Sequence, residues 1–150
     1  MLEELYQEEI LDASKSTRFR GDLQGVEGAK DALVNNPLCG DNVHLWVKPS
    51  ENKLECVCFS GHGCSISQAS ASMLSELVQG RSTEEAKIVV EAFKKLLAGK
   101  IEDSERELLH SLVALEGVRR FPARARCASI AFEALSKILE QISKNAGDKN

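Results

Sequence analysis

The residues of this 150-residue chain best suited to chemistry are five cysteines, at positions 39, 56, 58, 64 and 127, together with Asp41. Three of the cysteines fall where the pattern predicts element boundaries. Cys39 and Asp41 form Cys-Gly-Asp just before a strand pattern, and Gly40 lets two ligand-bearing residues turn towards one point without a Cβ in the way. Cys64 follows Gly61-His62-Gly63 and directly precedes a helical pattern, where unpaired backbone N–H groups and the helix dipole favour a thiolate. Cys127 lies near the start of the last helical pattern, after Arg119, Arg120, Arg124 and Arg126, whose guanidinium groups also lower a thiol pKa. Three thiolates and a carboxylate suit tetrahedral zinc, and soft sulfur donors also suit iron–sulfur clusters. The wide spacing is unlike a zinc finger or ribbon, so distant segments must assemble any such site.

The bland readings are set beside these. A single buried cysteine is more often a small hydrophobe than a ligand, and Asp41 by itself is also a turn-capping residue. Cys56 and Cys58 share one face of a strand pattern and read as core packed against helices, with an auxiliary sulfur relay as the alternative. His62 reads as a solvent-facing loop residue, with competition for a metal as the alternative; His44 and His110 read as surface positions. The arginines at 119–126 serve equally as a solvated basic turn or as a partner-docking patch.

The elements that must position these residues read as follows. Leu2, Leu5, Tyr6, Ile10 and Ala13 predict an amphipathic helix over 2–16. Residues 17–42, rich in Gly and Asn, predict a long ordered loop. Val43, Leu45 and Val47 alternate with polar or amphipathic residues, a turn follows at Pro49–Asn52, and Leu54–Phe59 alternates again, which predicts a hairpin. Ser65 with Gln68 suggests a capping box for a helix ending at Gly80, and Ser82 with Glu85 suggests one for a helix ending at Gly99. The run Ala69-Ser70-Ala71-Ser72 is small on every side and permits close approach of another backbone. A further helix is expected from Ser104 to Gly117, and Pro122 opens the last one, whose tail is expected to fray from about 144 to 150. The expected architecture is one α+β domain over 1–150, a small antiparallel sheet of two to three strands packed against about five helices.

Composition narrows the function classes. A net charge of −4 gives no general attraction to nucleic acid or anionic membrane, and no apolar run approaches the roughly 20 residues of a membrane span. The acidic start, MLEELYQEEI, is unlike a cleavable signal, so a cytoplasmic location is expected, where thiols stay reduced.

Three segments, Asn35–Asp41, Gly61–Met73 and Arg126-Cys127-Ala128, strongly resemble the IscU/NifU-N/SufU family, over about residues 5–142. IscU-type scaffolds carry His before the third cysteine and a Leu-Pro-Pro-Val-Lys chaperone segment upstream; here Arg126 and Arg120-Phe121-Pro122-Ala123-Arg124 stand instead. With the long interval between Cys64 and Cys127, these departures resemble the SufU type. Minor departures remain at His62 and Leu38. The resemblance implies a zinc-dependent sulfurtransferase that takes persulfide sulfur from a SufS-type cysteine desulfurase and passes it to downstream Suf assembly proteins. It implies Cys39, Asp41, Cys64 and Cys127 as metal ligands, with Cys39 released as the sulfur-accepting nucleophile. Arg126 matches the residue that pairs with Asp41 when the partner engages. The alternative implied by the same family is a scaffold that builds a [2Fe–2S] cluster, or holds iron, on these residues.

Overall fold

The computed structural model describes residues 2–38 and 40–148, with backbone alone at 2–5 and 146–148. Helix α1 (Leu2–Lys15) leads into a sheet of β1 (Lys30–Asn36), β2 (Asp41–Ser50) and β3 (Lys53–Ser60). Helices α2 (Ser65–Val78), α3 (Thr83–Ala98) and α4 (Asp103–Leu109), a 3₁₀ segment (His110–Arg120) and α5 (Pro122–Asp148) follow. The α+β expectation is met: the described residues form a sheet that is antiparallel throughout, in the order β1-β2-β3, with five α-helices, of which α2 and α5 pack directly on it.

Alternation decides which sheet face meets the helices. Val43, Leu45 and Val47 of β2 are fully buried and pair with Val34 and Ala32 on one side and with Phe59 and Val57 on the other. Helix α5 lies against β1 and β2, and α2 against β3 and α5. The small residues of α2 do what their size suggests. Ala69, Ser70 and Ala71 have no exposure, and Ser70 Oγ donates to the carbonyl of Ala128 at 2.7 Å, so α2 and α5 approach closely. On the far side of α5, Phe132 stacks on Phe93 of α3 with ring centroids 3.8 Å apart.

The β2–β3 turn is the two-residue loop Glu51-Asn52, both left-handed (φ 51° and 67°), as a tight hairpin of this twist requires. Ser82 and Glu85 form the reciprocal cap on α3, and Pro122 does open α5. The stretch from about 144, where fraying is expected, begins within α5, which continues through Asp148.

Three local expectations are corrected. The loop expected over 17–42 contains strand β1: Ala32, Val34 and Asn36 face the core while Asp31, Leu33 and Asn35 face out. So short and polar an alternation becomes a strand because β2 offers it an edge. The Phe19–Gly21 backbone also pairs with Phe59, covering the other edge of the sheet. The Ser65–Gln68 box does not form, because Gln68 is buried and turned to Arg20 and Asn42. The helix expected over 104–117 breaks at His110 (φ 49°) and continues as 3₁₀. Buried Leu109, Leu112, Leu115 and Val118 recur every third residue, the period that lines one face of a three-residue turn.

Candidate metal centre

Asp41 is the first residue of β2 and is only 2% exposed. Its Oδ1 accepts a hydrogen bond from the backbone N–H of Cys64 at 2.8 Å, and the Cys64 thiol lies 3.4 Å from its Oδ2. Cys64 is the N-cap of α2, but its exposed sulfur makes no capping hydrogen bond to the first turn and is turned to Asp41 instead. The loop before it is strapped to β2 by the bond from the Asn42 N–H to the His62 carbonyl, 2.8 Å.

Two glycines make that approach possible. A Cβ on Gly63 (φ 147°) would lie 2.2 Å from Asp41 Oδ1, and one on Gly61 (φ 133°) 2.3 Å from the Asn42 carbonyl oxygen. Arg20 fixes the same loop from the sheet edge. Its guanidinium lies over the Phe59 ring and donates to the Gly61 carbonyl and to Gln68 Oε1. Gln68 in turn donates to the Asn42 carbonyl.

The third donor comes from the first turns of α5. Cys127 is 3% exposed, and the Nδ2 of buried Asn36 donates to its sulfur at 3.5 Å. Donor atoms of Asp41, Cys64 and Cys127 all lie within 4.8 Å of one another. Ligands around tetrahedral zinc sit about 3.5–4 Å apart, given bonds of about 2.0 Å to oxygen and 2.3 Å to sulfur. Two sulfurs and a carboxylate at this separation fit such an ion with small side-chain adjustment and leave one position open. Cys39, expected to fill it, lies outside the described residues; the turn that carries it is framed by Asn36, Leu38 and Gly40.

Arg126 precedes Cys127 but here pairs with Glu133, about two turns along the same face of α5, while the Asp41 carboxylate engages Cys64. Beside Cys64, a groove of about 520 Å³ opens between α1, the 3₁₀ segment and α5, with Ile10 and Ile66 along it and Phe121, Arg120 and Arg124 at its rim. Arg124 lies over the half-exposed Phe121 ring, so the basic run is partly an aromatic–cation surface beside the site. His62 is exposed on its loop, as expected, near Asn42 Nδ2. His44 is half-buried, paired with Asp31 at 2.6 Å and stacked on Trp46.

Cys56 and Cys58 require a correction. They do share a face, but it is the outer one: Cys58 pairs with Trp46 and Cys56 with Lys48, while Val57 pairs with core-facing Val47. Cys58 is nevertheless buried, and burial, then Cys56 and Asp22, pushes its thiol up to about 11. The sequence gives Asn36, Arg20 and Gly63 no roles of their own, and gives Gln68 only the capping role that the structure replaces. Only Gly63 carried a local signal, the Gly-x-Gly before a cysteine.

The fold and the site together define an α+β domain that brings two cysteine thiols and a carboxylate to the spacing of a metal site. Residues 5–128 match the family model described as the NifU-like N terminal domain. The chain is 39% identical to the iron–sulfur cluster assembly scaffold protein IscU of Streptococcus pyogenes serotype M1, over 97% of this chain and 88% of that one. It is 38% identical to the zinc-dependent sulfurtransferase SufU of Bacillus subtilis (strain 168), over 91% and 90%. Among solved structures it superposes on FiSufU of Fervidobacterium islandicum AW-1, described as a candidate iron–sulfur cluster assembly scaffold for the SUF system. The TM-score is 0.79 and the identity 28%, covering 91% of this chain and 97% of that one. The chain belongs to the IscU/NifU-N/SufU family of iron–sulfur cluster assembly proteins. Among the described residues no helix is long and apolar enough to cross a membrane.

Proposed function

We propose that this chain is a zinc-dependent sulfur acceptor in cytoplasmic iron–sulfur cluster assembly, serving a SufS-type cysteine desulfurase and downstream Suf proteins. The convergence of Asp41, Cys64 and Cys127 carries the reading. Zinc held by these three residues and Cys39 would keep sulfur in the thiolate form at neutral pH without redox chemistry of its own.

The chain's own residues then divide the work. Cys39 is the nucleophile. Its thiolate attacks the terminal sulfur of the desulfurase persulfide, a new S–S bond forms, the old one breaks, and the desulfurase cysteine leaves as thiolate with no net oxidation. Asp41 orients Cys64 through its N–H, and Cys64 and Cys127 remain as anchors. Arg126 exchanges Glu133 for Asp41 when the partner docks, balancing the carboxylate. The arginine and Phe121 rim beside Cys64 supports docking at this end of the molecule. Arg126 in place of His, and the absence of the Leu-Pro-Pro-Val-Lys segment, favour transfer over scaffolding.

A second reading, a scaffold that builds a [2Fe–2S] cluster on the same donors, is supported by the scaffold relative at 39% identity. Cysteine turnover by the desulfurase, with and without zinc-loaded protein, separates the two. Strong stimulation that is lost in Cys39→Ala supports sulfur acceptance. No stimulation, with a reconstituted cluster passed to apo-proteins, replaces it with the scaffold.

A further inference from the structure

Gln68 lies in the first turns of α2 and is 4% exposed, so its polar atoms must find partners inside the protein. Cys64 is the N-cap, so the residue placed to complete a capping box is Ser67, and Gln68 falls one place too late to cap its own helix. Its side chain is engaged elsewhere. Oε1 accepts from Arg20 Nη2 at 2.9 Å, while Nε2 donates to the Asn42 carbonyl at 3.3 Å and to Ser67 Oγ at 3.1 Å. A guanidinium only donates and a carbonyl only accepts, so these partners fix which end of the amide is which. Ser67 Oγ in turn donates to the Cys64 carbonyl at 3.1 Å, and Arg20 donates to the Gly61 carbonyl at 3.3 Å.

We propose that Gln68 is a positioning residue of the site, holding Asp41 and Cys64 at the separation a metal ion needs. One buried amide is tied to Asn42, the residue after Asp41, and through Arg20 and Ser67 to the two ends of the loop at 61–64. The bond from the Cys64 N–H to Asp41 Oδ1, 2.8 Å, is the contact that these ties enclose. Gly61 and Gly63 let the loop approach β2, but glycine also leaves a loop free to move away. The Asn42–His62 backbone bond restrains its middle, and Gln68 restrains its ends and the strand beneath them. It does so from a helix, an element stiffer than the loop it steadies. The bearing on metal affinity rests on the zinc reading above; the bearing on the Asp41–Cys64 contact belongs to the metal-free chain.

Two measurements on the full chain test this role: amide hydrogen exchange without metal, followed by NMR, and zinc affinity by competition with a chromophoric chelator. Gln68→Glu keeps an acceptor for Arg20, which holds the new carboxyl ionised, but offers no donor to the Asn42 carbonyl. Gln68→Met keeps the length of the side chain and removes both bonds. In each variant the Cys64 amide is expected to exchange about five- to tenfold faster, the effect of one hydrogen bond on a local opening. Leu45 and Leu135, fully buried in the core, are expected to keep their wild-type rates. Zinc affinity is expected to fall about tenfold, as for other losses in the outer shell of a metal site. Should Gln68→Glu fold poorly, Gln68→Met alone decides. A Cys64 amide that exchanges at the wild-type rate in a folded variant overturns the role of Gln68. So does equal acceleration at Leu45 and Leu135, which marks a merely structural residue, or faster Cys64 exchange with zinc affinity unchanged. A wild type that binds no zinc overturns the zinc reading instead, and the Cys64 amide still decides whether Gln68 holds the Asp41–Cys64 contact.

Discussion

The two thiols at the end of the sheet, Cys64 and Cys127, and the two on its outer face, Cys56 and Cys58, are the same functional group in opposite settings. Cys64 stands at a helix N-cap, is exposed, and has a carboxylate held against it by its own N–H. Cys127 is buried but is met by an amide donor. Cys58 is buried beside another thiol and near Asp22, surroundings that disfavour its anion, and it is pushed up to about 11. Residue type did not separate the pairs. What separates them is where they fall in the fold: Cys64 at a helix start with Asp41 bound to its own N–H, Cys127 beside the side-chain amide of a strand-end Asn, and Cys56 and Cys58 in the middle of a strand.

The comparison is broken most severely by removing the carboxylate. Asp41→Ala is expected to weaken zinc binding by a hundredfold or more, on the order of what metal sites lose with a ligand or its close support, whereas Cys56→Ser and Cys58→Ser stay within about twofold. Competition with a chromophoric chelator measures all three. Gly63→Ala drives a Cβ into Asp41 Oδ1 at a backbone angle unsuited to side chains. It is expected to cost about 1–3 kcal/mol of stability and about tenfold in zinc affinity, read by chemical denaturation and the same competition.

Acidity sharpens the contrast. With its thiol raised from 9.0 to about 11, Cys58 at pH 8 is expected to alkylate about 100-fold more slowly than an ordinary thiol from its thiolate fraction alone. The linked stability has a definite sign. Folding favours the neutral thiol, so the contribution is complete below pH 9 and is lost as pH rises from 9 towards 11. In Cys58→Ala that part of the alkaline loss is expected to disappear from denaturation midpoints across this range. The smallest effect is expected for Arg20→Ala. It loses the bonds to Gly61 and Gln68, with a cost of about 1 kcal/mol and a shift of a few-fold in zinc affinity.

The features legible in the sequence were those written locally. The Ser82–Glu85 box, the Pro122 helix start, the hairpin alternation and the small-residue run on α2 each need only neighbours in the chain. The 3₁₀ segment was equally local, but its period of three overlaps a helical stripe closely enough to be read as one. Strand β1 was hidden because Asn35 and Asn36 look like loop residues until β2 pairs with them. At the site, Asp41 and the cysteines stood out by type and by family motif. Asn36 and Arg20 did not, because their meaning lies in contacts 91 and 48 residues away. The outward orientation of Cys56 and Cys58 also depends on register, which alternation alone leaves two-fold ambiguous.

The zinc K-edge absorption spectrum of the loaded protein tests the central claim most directly. The account predicts about three sulfurs near 2.3 Å and one oxygen near 2.0 Å, with one sulfur lost in Cys64→Ser and none in Cys58→Ser. A sulfur shell unchanged in Cys64→Ser, or reduced in Cys58→Ser, would contradict it.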